Sequence, residues 1–510
     1  MHLIELIQAI SPLEVSDGSD QEIQGLSYDS RTVQPGDLFF ALRGGSVDGH
    51  RYIGMAVENG ASAIVIEDPA YQRLDLPWVL VTDARLAMAK MAARFYGDPT
   101  AGIPLVGITG TNGKTTTTYL LEGILTAAGL PAAVLGTVNY RFGDQRLPAP
   151  HTTPESVDLQ AVLRKLVDKG AGSVVMEVSS HALEQHRVDG CRFDVGVFTN
   201  LTRDHLDYHG DMESYRIAKE RLFSELLAAD AIKGVRHAVI NCDDPAGSEI
   251  AAHSAAPVIT YGLGMDAQVT ASYVRFSVNG IGGEIRTPAG EFAFRSQLLG
   301  RFNLYNILAA TASGIALDIP LEKIREGIEN HPPIPGRLER VPNDRGITAL
   351  VDYAHTGDAL DNVLQTLCEL KSGRIITVFG CGGDRDRGKR PVMGEVTGRY
   401  SDLAVVTSDN PRTEDPLAII SDIREGLLPL GIKEYRPTEL ADRFTTKGFV
   451  IIPDRRAAIR LAIRLARQGD IVLLAGKGHE DYQIIGTIKH HFDDREEAIA
   501  ALGQTESDRG

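Results

Sequence analysis

Leu105-Val106-Gly107-Ile108-Thr109-Gly110-Thr111-Asn112-Gly113-Lys114-Thr115-Thr116 is the stretch whose reading decides the fold. The apolar run from Ile103 to Ile108 predicts a buried strand. Glycines then recur at every third position, followed by a lysine and hydroxyl residues. Tyr119, Leu120, Leu121, Ile124, Leu125 and Ala128 keep helical spacing, and Gly129 marks the end of that helix. Strand, glycine-rich turn, Lys-Thr and helix together form a phosphate-binding loop. Its glycines let backbone N–H groups approach a polyphosphate, in dihedrals that a Cβ would forbid. Lys114 is then placed for the β/γ oxygens, and Thr115 for a Mg²⁺ ion. The general pattern asks for a glycine four residues removed from the Gly113-Lys114 pair. That position is Ile108, and the glycine lies one place earlier, at Gly107.

Working outward, 510 residues are too many for one core and suggest about three domains. A formal charge of −16, from 52 basic and 68 acidic residues, argues against a general nucleic-acid surface. An anionic substrate would therefore need local basic residues. Cys191, Cys242, Cys368 and Cys381 are far apart and form no metal-type pair, which fits reduced thiols in the cytoplasm. Met1 to Ile10 carries Glu5 and lacks a basic start, so it reads poorly as a signal peptide. No apolar run reaches the length of a membrane span. A cytoplasmic chain acting without membrane or nucleic acid is expected.

Residues 1–100 read as a small α/β domain. Its signals are a strand at Leu38 to Leu42, a helix from Tyr52 to Gly60 and a strand at Ala63 to Ile66. Its Asp29-Ser30-Arg31 and Gly44-Gly45-Ser46 turns suit a diphosphate or sugar, and turn chemistry explains them equally well. Residues 101–335 read as a parallel sheet, with strands at Ala132 to Leu135, Ser173 to Val178, Phe193 to Phe198 and His237 to Ile240. Ala256 to Arg295 alternates like an antiparallel extension, and Pro332-Pro333-Ile334-Pro335-Gly336 reads as a linker. Residues 336–510 start a third α/β run, with strands at Ala349 to Asp352, Arg374 to Phe379, Leu403 to Thr407, Gly448 to Ile452 and Ile471 to Ala475. Gln504 to Gly510 reads as a frayed polar tail.

Three further features carry chemistry. Glu177 ends the run Ser173-Val174-Val175-Met176, where a second metal contact opposite Thr115 is needed. Taken alone, such a glutamate is a solvated strand end. Asp204, His205, Asp207 and His209 crowd the segment after another strand, and a hydrophilic loop is the bland explanation. Lys219 sits in a helix with a mixed face, where an ordinary surface lysine is the default.

Together these motifs resemble the Mur ligases, which build the peptide stem of bacterial cell-wall precursors. The resemblance rests on Gly107 to Thr116, Glu177-Val178-Ser179-Ser180-His181, Asn200 with Asp204-His205-Leu206-Asp207, and Ala218-Lys219. Gly300-Arg301-Phe302-Asn303-Leu304-Tyr305-Asn306, Gly336-Arg337 and Asp352-Tyr353-Ala354-His355-Thr356 extend it over nearly the whole chain in the expected order. The family's glycine spacing accounts for the shift at Gly107. The resemblance implies three domains: an amino-terminal one for the UDP-sugar, a central P-loop ATPase, and a Rossmann-like carboxyl-terminal one for the incoming amino acid. It implies ATP held by Gly110, Thr111, Asn112, Gly113, Lys114, Thr115 and Thr116, with Asn303 and Asn306 on the adenine side. Arg337, Asp352 and His355 would reach the nucleotide. Lys219 would be carbamylated by CO₂ and, with Thr115, Glu177 and His205, would serve two Mg²⁺ ions. Carbamylation turns a cation into an anion, which makes sense of a lysine among metal groups.

Within the family, Gly380 to Pro391, Ser408-Asp409-Asn410-Pro411-Arg412 and Gly476-Lys477-Gly478-His479-Glu480 resemble the members that add the third stem residue to UDP-N-acetylmuramoyl-L-alanyl-D-glutamate. Asp-Asn-Pro-Arg is the form associated with meso-diaminopimelate. That amino acid carries an ammonium and a carboxylate at its far end, where lysine has only an ammonium. A buried Arg412 guanidinium would pair with the carboxylate, while Asp409 and Glu480 take ammonium groups. Arg390, Asn410, Pro411 and Gly476 would complete the pocket. Tyr28, Ser30, Gly45, Ser46, Val47, His151, Thr152, Thr153, Ser179, Gln185 and Arg187 match the UDP-muramoyl-dipeptide contacts. The implied reaction passes through an acyl phosphate with no covalent enzyme nucleophile, in a monomer gated by closure of the third domain. The rival readings are a lysine-adding member of the family, a folylpolyglutamate synthetase sharing the ATP core, and a nucleotide-regulated switch protein.

Overall fold

The computed structural model describes residues 1–44, 47–72, 75–331, 333–440 and 444–507. The chain packs as two compact units. One holds Met1–Thr270 with Arg286–Glu291 and Ile307–Gly327; the other holds Ala271–Ile285, Phe292–Asn306 and the chain from Ile328 onward.

The first unit contains two sheets. In the smaller, the strand order is Glu14–Val15, Trp78–Leu80, Ala63–Ile66, Asp37–Phe40, Gly25–Ser27, and only Glu14–Val15 runs antiparallel to its neighbour. Alternate residues feed opposite faces. Leu38, Phe40, Ala63 and Val65 pack with Met88 and Met91 of the helix Ala84–Phe95, whereas Phe39, Ile64 and Ile66 pack with Ile53 and Ala56. A sheet covered on both sides needs such unbroken apolar runs.

The larger sheet has eight strands, in the order Val258–Tyr261, His237–Asn241, Val195–Phe198, Leu105–Thr109, Ser173–Glu177, Ala132–Leu135, Tyr140–Phe142, Gln145–Leu147. The first six are parallel and the last two form antiparallel pairings. Leu105–Thr109 lies between Ser173–Glu177 and Val195–Phe198, with Ile108 beside Glu177 and Thr109 beside Phe198. Three strands therefore end level with one another, at the edge where ligands bind in parallel sheets. Gly107 is a strand residue there. A Cβ at that position would lie 2.5 Å from the Phe193 ring, so packing fixes this glycine while Gly110 and Gly113 make the turn. The helix begins earlier than its apolar spacing suggests, running Lys114–Ala127, because Gly113 already turns the chain at φ +88°.

The region expected to extend this sheet splits in two. Val258–Tyr261 joins it in parallel, and Thr270–Ser277, Gly280–Thr287 and Gly290–Ser296 form a separate three-stranded sheet. The helices Arg301–Ala316 and Leu321–Glu329 follow.

The second unit is built on seven strands in the order Glu339–Val341, Thr348–Asp352, Ile471–Ala475, Ile375–Phe379, Leu403–Val406, Gly448–Ile451, Lys433–Tyr435, parallel except at Glu339–Val341. Arg455 and Asp494 form a fully buried two-point ion pair at 2.6 and 2.7 Å, tying the helix Arg455–Leu465 to Asp494–Ser507. The stretch read as a linker is packed: Ile334 is buried, and Gly336 lies against the Gly478–His479 backbone. Pro332 lies outside the described residues. The polar tail from Gln504 continues the last helix to Ser507, past Gly503 and with no proline to stop it; residues 508–510 lie outside the described residues. All four cysteines are free, with burial pushing the Cys191 and Cys381 thiols up to about 12. Among the described residues no helix is long and apolar enough to cross a membrane.

Candidate active site

The phosphate loop leaves its strand at Gly110, whose φ of +144° brings it so near Thr199 that a Cβ would sit 1.9 Å from Oγ1. Thr111 N donates to Asn200 O at 2.9 Å and Asn112 N to Asn200 Oδ1 at 2.9 Å; Asn200 Nδ2 returns a bond to Asn112 O at 3.1 Å. Thr199 Oγ1 also donates to Asn112 O, at 2.7 Å. Asn200 thus buttresses the loop from the neighbouring strand end. Gly113, Lys114, Thr115 and Thr116 open the helix, where N–H groups lack partners within the helix and favour an anion. Lys114 Nζ lies across the turn, donating to Gly110 O at 2.8 Å and Thr111 O at 2.9 Å.

Beside this loop Thr115 Oγ1 donates to Glu177 Oε1 at 3.0 Å. Thr137 adds its N–H to Oε1 at 3.0 Å and its hydroxyl to Oε2 at 2.9 Å. A Cβ on Gly136 would come within 2.4 Å of Glu177 Oε1, so a glycine there gives the carboxylate its space. Lys219, from the helix Met212–Ser224, is 1% exposed and donates to Gly110 O at 3.1 Å. Its Nζ also lies 4.4 Å from the centre of the Tyr215 ring. Among the described residues it forms no ion pair. Burial first, and the Lys114 charge second, push its amine well below the ordinary lysine range. Tyr215 joins these parts, since its hydroxyl lies 3.2 Å from Thr111 Oγ1.

His205 stands at φ +54° before a short helical turn, with Nε2 3.5 Å from Asp204 Oδ2. Its ring meets that of His181 edge-on at 5.0 Å and that of Tyr215 at 6.2 Å. Burial lowers the His205 imidazole and takes His181 down to about 4. Thr115 and Glu177 are therefore in direct contact, Lys219 and Lys114 share the Gly110 carbonyl, and the His205 ring lies near that of Tyr215. No three His, Cys, Asp or Glu residues among those described cluster as ready metal ligands.

Several residues expected around the sugar-peptide also come together. Thr152 Oγ1 lies 3.1 Å from Thr137 Oγ1, and Thr153 Oγ1 donates to Glu177 O at 2.9 Å and accepts from Ser179 N at 3.2 Å. Arg187 donates to Thr153 O at 2.9 Å and Gln185 Oε1 at 2.8 Å, and pairs with Glu155 at 2.9 Å. Gln185 Nε2 in turn donates to Tyr208 OH at 2.9 Å. Tyr28 OH donates to Asp158 Oδ2 at 2.5 Å, and burial together with that carboxylate pushes its phenol up. Ser30 is buried against Met55, while Val47 and His151 are exposed. Gly45 and Ser46 lie outside the described residues.

In the second unit, Asn303 and Asn306 are buried and linked, Asn306 Nδ2 donating to Asn303 Oδ1 at 2.9 Å. The Arg337 guanidinium lies over the Tyr353 ring at 4.9 Å, and His355 Nδ1 is 2.8 Å from Tyr353 O. Asp352 accepts from Leu338 N at 2.7 Å and Ala354 N at 2.8 Å, yet burial leaves its carboxyl above the ordinary range.

Asp409, Asn410 and Glu480 converge on Lys477, whose side chain has no exposure. Lys477 Nζ lies 3.2 Å from Asp409 Oδ1, 3.3 Å from Asn410 Oδ1 and 3.5 Å from Glu480 Oε2; Asn410 Nδ2 also donates to Glu480 Oε2 at 2.8 Å. Burial would raise Asp409, but Lys477 and Arg455 hold it below the ordinary range. Burial and then Asp409 raise Glu480. Pro411 is buried, and Arg412, at φ +53°, pairs its main chain with Ile484 and Gly486. Contrary to expectation, the Arg412 side chain is only half-buried, because it runs along the loop to donate to Gly383 O at 2.9 Å. Gly476 turns at φ +111°. Arg390 is buried and engaged by its own chain: Glu414 at 2.8 Å and Asp422 at 2.8 Å.

Sequence reasoning missed Thr137, Tyr215 and Lys477. Lys477 stood inside a motif already singled out, flanked by two glycines, and that was its only local signal.

The chain matches three family models: "Mur ligase family, catalytic domain" over residues 22–96, "Mur ligase middle domain" over 108–314 and "Mur ligase, glutamate ligase domain" over 336–478. It is 64% identical over 507 residues to a protein of Geobacter metallireducens named UDP-N-acetylmuramoyl-L-alanyl-D-glutamate--2,6-diaminopimelate ligase, covering 99% of both chains. A protein of the same name from Geobacter sulfurreducens is 62% identical, with 99% of this chain and 100% of that one covered. A solved structure of an enzyme of that name superposes with a TM-score of 0.72 at 33% identity, covering 99% of each chain.

Proposed function

The chain belongs to the Mur ligase family, and we propose that it joins meso-diaminopimelate to the D-glutamyl γ-carboxylate of UDP-N-acetylmuramoyl-L-alanyl-D-glutamate, releasing ADP and phosphate. The observation that carries this reading is the phosphate loop at the level ends of adjacent parallel strands, with Lys114 and Lys219 both on Gly110 O and Thr115 bonded to Glu177. Residues 1–100 serve the UDP-sugar, 101–335 ATP, and 336–510 the amino acid.

Hard oxygens from Thr115 and Glu177 suit Mg²⁺, and a carbamate on Lys219 would supply a second anionic group beside Glu177. The neutral amine is the form that reacts with CO₂, and burial shifts Lys219 toward it; Tyr215 lies against both Lys219 and the His205 ring. Two Mg²⁺ ions bound there would neutralise charge that develops on the phosphoryl group. Lys114 and the N–H groups from Gly110 to Thr116 bind and orient the triphosphate, so that the γ-carboxylate attacks the γ-phosphorus and an acyl phosphate forms. Asn303, Asn306, Arg337, Asp352 and His355 hold the nucleoside side of ATP. Tyr28, Ser30, Gly45, Ser46, Val47, His151, Thr152, Thr153, Ser179, Gln185 and Arg187 hold the sugar-peptide. Asp409, Asn410, Pro411, Arg412, Gly476 and Glu480 orient the amino acid so that its neutral amine attacks the acyl carbon and expels phosphate. Arg390 supports this pocket through Glu414. The free cysteines and the need for ATP and UDP-sugar favour the cytoplasm, and one chain with all three substrate regions is taken to act as a monomer.

The test is ADP release with the UDP-muramoyl-dipeptide and either diaminopimelate or lysine. Release that requires both the dipeptide and diaminopimelate supports the reading. Equal release without any amino acid would point to a nucleotide switch, and a preference for lysine to the lysine-adding relatives.

A further inference from the structure

Lys477 has no part in the contacts of the proposed function, although it sits inside the amino-acid pocket of that reading, and its role rests on the reading. Gly476 at φ +111° and Gly478 at φ +53° fold the chain on either side of it, and a Cβ at Gly478 would lie 2.6 Å from Tyr353 Cβ. That fold drives the Lys477 side chain inward, until its ammonium meets Asp409 at 3.2 Å and Glu480 at 3.5 Å. Arg455 is nearby but already matched by Asp494. Among the described residues, with the exposed Asp481 and His355 set aside, the charged groups left at the pocket are Lys477 and Arg412 against Asp409 and Glu480. They balance.

We propose that Lys477 is a specificity-determining residue: by cancelling one of two carboxylates it makes the pocket electrically neutral, matched to a zwitterionic amino-acid terminus and mismatched to a bare ammonium. Without Lys477, and at pH values where both carboxylates are ionised, the pocket would carry one net negative charge, which favours the cation of lysine over the ammonium–carboxylate pair of diaminopimelate. Lys477 also governs which carboxylates stay ionised. Glu480 is faced by Asp409 and Asn410, by Lys477 on its own loop, by Arg455, by Tyr353 with His355 close to Asp409, and by Tyr482 with Arg412 beyond it. Of these, Lys477 is the cation in direct contact with both acids. Its loss leaves two neighbouring carboxylates that cannot both ionise easily.

The experiment measures kcat/KM for diaminopimelate and for lysine against pH in wild type, Lys477→Met, Asp409→Asn/Lys477→Met and Glu480→Gln. Lys477→Met should lower the preference for diaminopimelate about tenfold or more, chiefly through KM, with KM for ATP unchanged. Glu480 must be ionised to accept an ammonium, so the acid limb of the diaminopimelate profile should move to higher pH. In Asp409→Asn/Lys477→Met both partners are gone, and the limb should move back toward wild type even though affinity stays low. Glu480→Gln should abolish that limb. A purely structural lysine would depress activity at every pH without moving the limb. An unmoved limb, or an undiminished preference in Lys477→Met, overturns the proposal. Should Lys477→Met fail to fold, Glu480→Gln decides: a limb that persists at its wild-type pH overturns the proposal. A wild-type enzyme that prefers lysine would instead overturn the function on which the proposal rests.

Discussion

Lys219 and Lys477 are both withdrawn from solvent, one in the helix Met212–Ser224 and one in the turn after Ile471–Ala475, but their surroundings differ in kind. Lys219 meets a carbonyl, an aromatic face and a second lysine, Lys114. Lys477 meets two carboxylates and an amide oxygen. Burial alone therefore does not say what a lysine is for. Where no carboxylate pairs with it, burial favours the uncharged amine; where carboxylates pair with it, its charge is balanced in place. The first environment suits covalent capture of CO₂, and the second suits recognition of charge.

The comparison breaks most visibly at Lys219. Lys219→Ala should lower turnover by about 10³-fold, at the upper end for loss of an electrostatic contributor, while circular dichroism stays native. Acetate or formate should restore part of the rate by standing in for the carbamate. Near-normal turnover of the variant without added carboxylate would make Lys219 a packing residue.

Lys114→Ala is next, with a loss of roughly 10²-fold that falls on turnover, since the charge matters most when the phosphoryl group is in flight. ADP formation at saturating substrates is the measurement, and an unchanged rate would place ATP elsewhere.

Arg412→Ala tests the other side. A fully buried guanidinium would be worth more, but this one is half-buried and already bonded to Gly383 O. Losing its charge-assisted pair with the substrate should cost about 1.5–3 kcal/mol. That corresponds to roughly a 10- to 100-fold rise in KM for diaminopimelate, with KM for ATP unchanged. A variant that keeps its full preference over lysine would reduce Arg412 to a loop residue.

How far the sequence carried this reading depended on how local the signal was. The strands Ala63–Ile66, Ala132–Leu135 and Ile471–Ala475 fall where their apolar runs place them, because strands covered on both faces advertise themselves residue by residue. The phosphate loop was legible for the same reason: Gly110 to Thr116 are consecutive. The bonds that complete the site span the chain. Thr137 reaches Glu177 across forty positions, and Lys219 reaches Gly110 across more than a hundred. Nothing near Gly136 announces that its missing Cβ makes room for the Glu177 carboxylate. Gly107 is the converse case: it looked like a displaced loop glycine, and its reason is the Phe193 ring packed against it. The inward turn of Lys477 depends on Tyr353, far away in sequence, so the motif showed the residue and hid its direction.

The smallest expected effect is on stability, and it isolates the protonation half of the comparison. In the folded chain Lys219 releases its proton well below the ordinary lysine value of 10.5, whereas in the unfolded chain it keeps the proton up to about that value. Between those two points the unfolded state binds more protons, so this group's contribution to stability is unfavourable at neutral pH and improves as pH rises. Lys219→Met removes the linkage and leaves an apolar side chain of similar length in a buried site. In CO₂-free buffer at pH 7 the variant should therefore unfold at a higher apparent Tm, by about 2–4 °C. The gap should shrink steadily as pH rises toward 10.5, where the unfolded chain gives up the proton as well. Bicarbonate should stabilise wild type and leave the variant unchanged, because the variant lacks the amine proposed to carry the carbamate. A gap that stays constant with pH, or a variant less stable throughout, would show that Lys219 keeps its proton in the fold, and the contrast with Lys477 would then be one of position alone.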